Sequence, residues 1–302
     1  MEKPHDLMQL LEECAPRFSK GQRRIAQYIK ADYDQAAFMT AAKLGQTVGV
    51  SESTVVRFAT EVGFDGYPQL QRELRELIRN RLTSVQRMEV IDRRMLGNDV
   101  LNEVMHSDME AIRKSLDEVH PASFQAAVKT IINARKIYII GIRSAAALAS
   151  FLDYYFTHMF ENARNVDTAS TSVIFEQMLR IGPEDVFIGI TFSRYSRRTY
   201  KAASFAKANG AKVIAITDST AAPIAQIADY VLVAKSEMAG IVDSLVAPLS
   251  LINALIVAIG LEKKEEIKET YDRLEKIWSD FSVYSIDRTD AENERQFDAD
   301  ED

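Results

Sequence analysis

The chain has 302 residues, of which 47% are hydrophobic, and a formal net charge of −7 at pH 7. This length is enough for two packed domains, and the single cysteine, Cys14, excludes an intramolecular disulfide framework. The opening sequence MEKPHDLMQLLEE lacks the apolar run of a signal peptide, so we expect a cytoplasmic protein.

Charge is distributed unevenly along the chain. Residues 287–302 contain eight acidic and two basic residues, so this segment carries −6 of the total charge. We expect a disordered acidic tail over 286–302. Residues 17–60 contain seven basic and three acidic residues, a net charge of +4. A basic N-terminal region is compatible with nucleic-acid binding even though the whole chain is acidic.

A helix over 19–30 and a helical turn at 36–38 precede the most informative segment, residues 40–67, TAAKLGQTVGVSESTVVRFATEVGFDGY. Two apolar stripes at helical spacing flank a tight turn in it: Ala41, Leu44 and Val48, then Val55, Phe58 and Val62. Gly49 can end the first helix with a positive φ, and Ser51 can cap the second. Gly45 has no side chain and lets the helices cross closely. These offsets predict a helix-turn-helix.

The second helix of this motif has a polar outward face. Ser53, Thr54 and Arg57 lie at its N-terminal end, where a recognition helix meets base edges and phosphates. Together with Lys43 on the first helix they form the predicted DNA-binding set. A tight corner between two helices without any DNA-binding role explains the apolar stripes, but it does not explain this face.

Downstream of a further helix through residues 70–78, residues 82–98 are polar and aperiodic, which predicts a linker. Amphipathic helices follow over 101–116 and 124–132. Continuous apolar strands then alternate with helices, a pattern typical of a parallel sheet covered on both faces. The predicted strands cover 136–141, 185–190, 212–216 and 230–233. The fold class is therefore an all-helical head followed by a parallel αβα-sandwich.

The segment 244–261, SLVAPLSLINALIVAIGL, is 18 residues long without a charge, near the lower limit for a membrane span. It contains Pro248 and Asn253, and both flanks are polar, so a helix buried in a core or subunit interface is the stronger interpretation. It carries more apolar side chains than one helix needs in order to cover one side of a sheet. We expect the surplus, Leu251, Leu255 and Ile259, to pack against a second subunit.

Hydroxyl and guanidinium groups follow two of the predicted strands. Arg143 and Ser144 come after the first strand, and the second strand is followed by a segment containing Ser193, Arg194, Ser196 and Thr199. Ligands of parallel sheets bind at the carboxyl ends of the strands, and hydroxyls at a helix N-terminus suit an anion. The same hydroxyls can also serve only as helix caps, which leaves two interpretations of this segment.

The order of these parts resembles the MurR/RpiR family of bacterial transcriptional regulators, whose N-terminal motif here is GVSESTVVRFATEVGF-x-GY. The resemblance covers residues 5–285. It implies a helix-turn-helix domain over 1–81, a linker and connecting helix over 82–121, and a sugar isomerase (SIS) domain over 122–285. It also implies binding of operator DNA by the head, and of phosphorylated sugars or related metabolites by the SIS domain.

This chain departs from the family at two glycines. The SIS phosphate loop Ser-x-Ser-Gly-x-Thr maps onto Thr191, Ser193, Arg194 and Ser196, with Arg194 in place of the glycine. In the family pattern Gly-x-Gly-x-Ser, Arg143 replaces the second glycine. We expect neither arginine to keep the close backbone approach that glycine allows. Their guanidinium groups can bind phosphate or carboxylate, or they can fill the pocket.

A SIS-type sugar-phosphate isomerase carrying a DNA-binding head is the alternative function. Isomerisation needs a general base, and the candidates are His158 and Glu176, for which packing and a surface helix are adequate explanations. We therefore predict a non-enzymatic regulator of carbohydrate metabolism that needs no metal or cofactor and senses an anionic sugar-derived effector. It forms a homodimer or dimer of dimers on an inverted repeat, away from membranes.

Overall fold

The computed structural model describes residues 7–81, 99–166, 170–237 and 242–284. The predicted linker 82–98 and the acidic tail 286–302 lie outside these ranges. The chain divides into two compact units between residues 107 and 108, with 237–244 grouped with the first. Each unit has its own apolar core.

The first unit is helical. A 3-10 turn, Ala15–Arg17, follows the first helix. The α-helices are α1 (Leu7–Cys14), α2 (Lys20–Ala31), α3 (Tyr33–Ala36), α4 (Ala41–Val48), α5 (Glu52–Glu61) and α6 (Tyr67–Arg81). Helix α7 (Val100–Glu118) contains the division between the two units. Helix α1 was not predicted, and the helical turn lies at α3 rather than at 36–38.

Local sequence explains where these helices start and stop. Ser19 and Gln22 form a capping box at the start of α2, and Ser51 caps α5 by accepting a hydrogen bond from the Thr54 amide. Gly49 ends α4 at φ 70°, as predicted. The Tyr67 hydroxyl donates to the Met39 carbonyl at 2.8 Å, and burial raises its pKa to about 12. Tyr67 of the motif therefore fixes the start of α6 to the segment between α3 and α4.

The second unit is built on a five-stranded parallel sheet in the order β2-β1-β3-β4-β5. Every predicted strand is present, and the short edge strand β2 is additional. The strands are β1 (Lys136–Gly141), β2 (Ala163–Asn165), β3 (Asp185–Ile190), β4 (Lys212–Thr217) and β5 (Tyr230–Val233). The helices are α8 (Pro121–Ile132), α9 (Ala145–Met159), α10 (Thr171–Gln177), α11 (Arg197–Ala208), α12 (Val246–Glu262) and α13 (Lys264–Asp280).

Alternation along each strand builds one core on each face of the sheet. Ile137 and Ile139 of β1 pack with α8, α9 and α12, whereas Tyr138 and Ile140 pack with α10 and α11. At the end of β1, a Cβ on Gly141 would lie 2.3 Å from the Ala145 carbonyl oxygen. Only glycine permits α9 to start so close to the strand. The predicted αβα-sandwich is confirmed.

The long apolar segment forms α12, which lies within the core of the second unit. The expectation that Leu251, Leu255 and Ile259 pack against a second subunit is wrong for Leu255 and Ile259, which are fully buried within their own unit. Leu251 is buried there as well, at 8% exposure. In the described part of the chain, no single helix is long and apolar enough to cross a membrane. Helices α12 and α13 pass that test only as a pair, which is bent by 101°.

Candidate functional site

The N-terminal end of α5 presents the predicted DNA-reading side chains. Ser53 and Arg57 are exposed, and so is Lys43 on α4. The Arg57 Nε atom donates to the Ser53 carbonyl at 3.2 Å, which leaves both Nη atoms free to donate elsewhere. An exposed guanidinium one turn into a recognition helix can bind a base edge or a phosphate.

Thr54 has a different environment from Ser53 and Arg57. It is half-buried, and its hydroxyl lies 2.9 Å from the Ser51 Oγ atom. Its Cγ2 would lie 3.5 Å from a Cβ at Gly21, so the side chain faces α2. The structure therefore brings Ser53, Thr54 and Arg57 to one end of α5, while Thr54 also connects that end to α2.

Arg24, on α2, is a contact residue that the sequence analysis did not single out. Its Nη1 atom donates to the Gly49 carbonyl at 3.2 Å, and a Cβ at Gly49 would lie 2.5 Å from its Nη2 atom. The guanidinium therefore lies directly over the turn between α4 and α5. The +4 charge of residues 17–60 is the only sequence signal that pointed to this residue.

Replacing Gly45 by Val is expected to lower the free energy of unfolding of the head by about 1–3 kcal/mol, because added volume in a tight contact forces the backbone to shift. A Cβ at Gly45 would lie 2.8 Å from the Val50 carbonyl oxygen and 3.4 Å from the Glu52 amide nitrogen. Urea unfolding followed by circular dichroism measures the change. Ala42→Val is the matched control, since Ala42 is exposed on the same helix. Equal effects of the two substitutions would contradict the close crossing.

The second candidate site lies at the carboxyl edge of the sheet. Strands β1 and β3 are neighbours, with Gly141 paired to Ile190, so the segments that follow them leave the sheet side by side. Arg143, Ser144 and Arg194 are exposed, and Ser193 and Ser196 are half-buried. Thr199 is fully buried. The structure thus brings all six predicted ligand residues to one edge.

Both arginines that replace family glycines keep a left-handed backbone. Arg143 has φ 64° and Arg194 has φ 60°, a region that favours glycine and is uncommon for other residues. The expectation that these arginines prevent the close backbone approach of a glycine concerns the space taken by the side chain, and it stays a prediction. Left-handed conformations of this kind cost on the order of 1–2 kcal/mol each and concentrate at functional sites.

Two hydroxyls at this edge are buried without a hydrogen-bond partner among the residues that the structure describes. They are the Ser193 Oγ and Thr199 Oγ1 atoms. An unsatisfied buried polar group costs about 1–3 kcal/mol, and a native structure keeps such a group rarely. A ligand that accepts hydrogen bonds from both would remove that cost.

Other polar groups of this loop have hydrogen-bond partners. The Ser196 Oγ atom accepts from the Thr199 amide at 3.2 Å and caps α11, and the Ser196 amide donates to the Thr191 Oγ1 atom at 3.1 Å. Sequence reasoning missed Asp218 at the end of β4, whose Oδ2 atom accepts from the Ser193 amide at 3.2 Å. Ser196 therefore acts as a helix cap, and Asp218 holds the loop.

The two candidate bases for isomerase chemistry lie on α9 and α10. His158 is near the C-terminal end of α9, with its ring 4.8 Å from Tyr154 and 5.8 Å from Tyr271. Glu176 is exposed on α10. Within the described ranges, no group of three or more His, Cys, Asp and Glu side chains is placed to hold a metal ion.

A helix-turn-helix head and a parallel αβα-sandwich with polar strand ends together define a DNA-binding protein with a sugar-isomerase-type domain. Residues 6–81 match the family described as helix-turn-helix domain, rpiR family, and residues 130–258 match the SIS domain. The chain belongs to the RpiR family of transcriptional regulators.

Similar proteins agree with this assignment. The HTH-type transcriptional regulator HexR of Pseudomonas aeruginosa is 26% identical over 230 residues, which cover 73% of this chain and 76% of HexR. The sugar isomerase domain of an RpiR transcription factor from Sphaerobacter thermophilus has a TM-score of 0.55 at 27% identity, covering 58% of this chain and 97% of that one. The Vibrio vulnificus NanR protein complexed with ManNAc-6P has a TM-score of 0.58 at 19% identity. The match covers 93% of this chain and 100% of NanR, and it shows that the two proteins share a fold.

Proposed function

We propose that this protein is a cytoplasmic transcriptional regulator of carbohydrate metabolism that binds operator DNA through α5 and an anionic sugar-derived effector at the carboxyl edge of the sheet. The observation that carries the effector site is the pair of buried hydroxyls of Ser193 and Thr199, which lack a partner within the described chain. The effector is a sugar phosphate or a related sugar acid.

The arginines of this edge support an anionic ligand. Arg143 and Arg194 are exposed, so solvent and a ligand can reach their side chains. Guanidinium groups bind phosphate and carboxylate through two parallel hydrogen bonds. NanR, whose fold is shared, was captured with ManNAc-6P, a ligand of this class.

The DNA-binding set proposed for the head consists of Lys43, Ser53, Thr54 and Arg57, with Thr54 acting mainly through its contact with α2. One such head reads few base pairs, so we propose that a homodimer or dimer of dimers binds an inverted repeat with its heads about one helical turn, or a multiple, apart. The proposed domains are 1–81 and 122–285, joined by 82–121.

Catalysis is not part of this proposal. His158 lies 13 residues along α9 from its start, about 20 Å from the strand edge at 1.5 Å per residue. A turnover assay with aldose and ketose phosphates separates the regulator from the isomerase alternative. Conversion of a sugar phosphate above background would favour the isomerase.

The effector is best found by thermal-shift screening of the full chain against sugar phosphates and sugar acids. A ligand that binds only the folded state raises the melting temperature in proportion to ln(1 + [L]/Kd). We expect shifts from anionic sugars and none from their neutral parents. Neutral sugars that shift the melting temperature equally would contradict the proposed site.

Replacing Arg194 by Gly is expected to raise stability while weakening effector binding. Relief of the left-handed arginine gains on the order of 1–2 kcal/mol, partly offset by the about 0.5–1 kcal/mol that glycine costs through the unfolded state. Loss of a charged hydrogen bond lowers effector affinity about 10–100-fold. Urea unfolding and calorimetric titration measure the two effects. A destabilised variant with normal affinity would show that Arg194 serves the fold instead.

A further inference from the structure

An apolar groove of about 350 Å³ lies between α7, α8 and α12 of the second unit. Its wall is formed chiefly by Ile112, Leu116, Val119, Phe124, Leu251 and Ala254. Helices α8 and α12 cover one face of the sheet, and the groove contains none of the residues proposed to bind the effector. The groove therefore requires its own explanation.

The polar atoms of the groove leave little for a polar ligand. No charged residue lines it. The Ser115 Oγ atom donates to the Ala111 carbonyl at 2.6 Å and accepts from the Lys235 amide at 2.8 Å. The Ser250 Oγ atom donates to the Val246 carbonyl at 3.0 Å. These hydroxyls are already bonded, and the third polar side chain of the lining is the exposed amide of Gln125. Since the rest of the lining is apolar, the groove favours an apolar occupant.

Two exposed apolar stripes continue the groove along its helices. Met109, Ile112 and Leu116 share one face of α7 at helical spacing, and Leu116 is 78% exposed. On α12, Val257 and Leu261 continue the face of Ala254 and are 60% and 72% exposed. A contiguous apolar face of this kind is uncommon on a monomer and marks an interaction surface.

We propose that this face is the interface between two copies of the chain, with Leu116 of each copy seated in the groove of the other. This inference rests on the dimer of the proposed function and assigns its contact surface. Leu116 lines the groove and is also largely exposed. The projecting side chain and the groove that would receive it therefore lie on the same face of the molecule. A dimer with a two-fold axis uses the same face of both copies, so that face must be complementary to itself. Each contact between Leu116 of one copy and the groove of the other then occurs twice.

The size of the face agrees with a dimer. Helix α12 has 17 residues and is about 25 Å long at 1.5 Å per residue. Three helices packed about 8–10 Å apart make a face on the order of 500–700 Å² in each copy. Stable interfaces bury about 800 Å² per partner, so this face supplies most of what a dimer needs.

Light scattering of the full chain with a matched pair of substitutions tests the assignment. We expect a dimer for the wild type and a monomer for Leu116→Glu at micromolar concentration. Leu179→Glu is the control, because Leu179 is 75% exposed and lies outside the groove. Since Leu116 is largely exposed, the circular dichroism spectrum of Leu116→Glu is expected to match that of the wild type. The melting temperature of the dimeric wild type is expected to rise with protein concentration, and that of the monomeric variant is expected not to.

A cysteine pair tests the geometry without relying on a charged substitution. Chains carrying Leu116→Cys, mixed with chains carrying Ala254→Cys, are expected to form disulfide-linked heterodimers on mild oxidation. The native Cys14 is buried in the other unit and does not compete. The control is a mixture of chains carrying Leu179→Cys and chains carrying Ala254→Cys. If this mixture gave as much disulfide-linked heterodimer as the test mixture, the result would count against a specific contact between Leu116 and Ala254.

A Leu116→Glu variant that remains dimeric, together with the absence of a Leu116–Ala254 crosslink, would overturn the proposal. A monomeric wild type stabilised by a medium-chain fatty acid would also overturn it and assign the groove to a small apolar ligand. The effector-induced melting shift of the wild type is measured in parallel. If that shift is present while the interface tests fail, only the contact surface is wrong.

Discussion

The double variant Ser193→Ala, Thr199→Val is expected to lose the effector response completely without losing stability. Both hydroxyls are buried and have no partner among the described residues, so their removal leaves no broken hydrogen bond behind. Removing an unsatisfied buried hydroxyl is neutral or stabilising, whereas losing two donors to a bound anion costs about 1.5–3 kcal/mol each. We expect an effector affinity more than 100-fold lower, measured by calorimetric titration.

Ser196→Ala provides the contrast for that experiment. The Ser196 Oγ atom caps α11 through the Thr199 amide, so its loss is expected to lower stability by about 1 kcal/mol. A double variant that is destabilised like a cap variant, or that binds the effector normally, would assign Ser193 and Thr199 to the fold.

Arg57→Ala is expected to weaken operator binding by about 1–3 kcal/mol, roughly 5–150-fold, if Arg57 reads a base. The side chain is exposed and bonded only through Nε to its own helix, so the folded head is expected to keep its melting temperature. Fluorescence anisotropy on operator and random duplexes measures the effect. Equal losses on both duplexes make Arg57 a phosphate contact, and no loss on either removes it from the interface.

The sequence predicted the elements whose signal is long and regular. Strands β1, β3, β4 and β5 are continuous apolar runs, and each was found. Strand β2 contains only Ala163, Arg164 and Asn165, and α10 has one buried residue, so neither carries a periodic pattern. Both elements depend on packing against neighbours that are distant in sequence.

The sequence predicted which residues form the candidate effector site. It did not predict how their side chains and backbones are arranged. Sequence spacing placed Ser193 and Thr199 at a strand end, but it did not reveal that their hydroxyls are unpaired. It also did not reveal that Arg143 and Arg194 have positive φ angles. Helical periodicity marked Leu251 as buried, but periodicity alone does not distinguish burial in a domain from burial in a dimer.

The most direct test of the account is the operator affinity of the full chain, measured with and without the anionic sugar that raises its melting temperature. Coupling between the two sites predicts a change of 5–150-fold, equivalent to about 1–3 kcal/mol. Linkage further predicts that operator DNA changes the affinity for that sugar by the same factor. An operator affinity that is identical with and without a saturating concentration of the sugar would contradict the account.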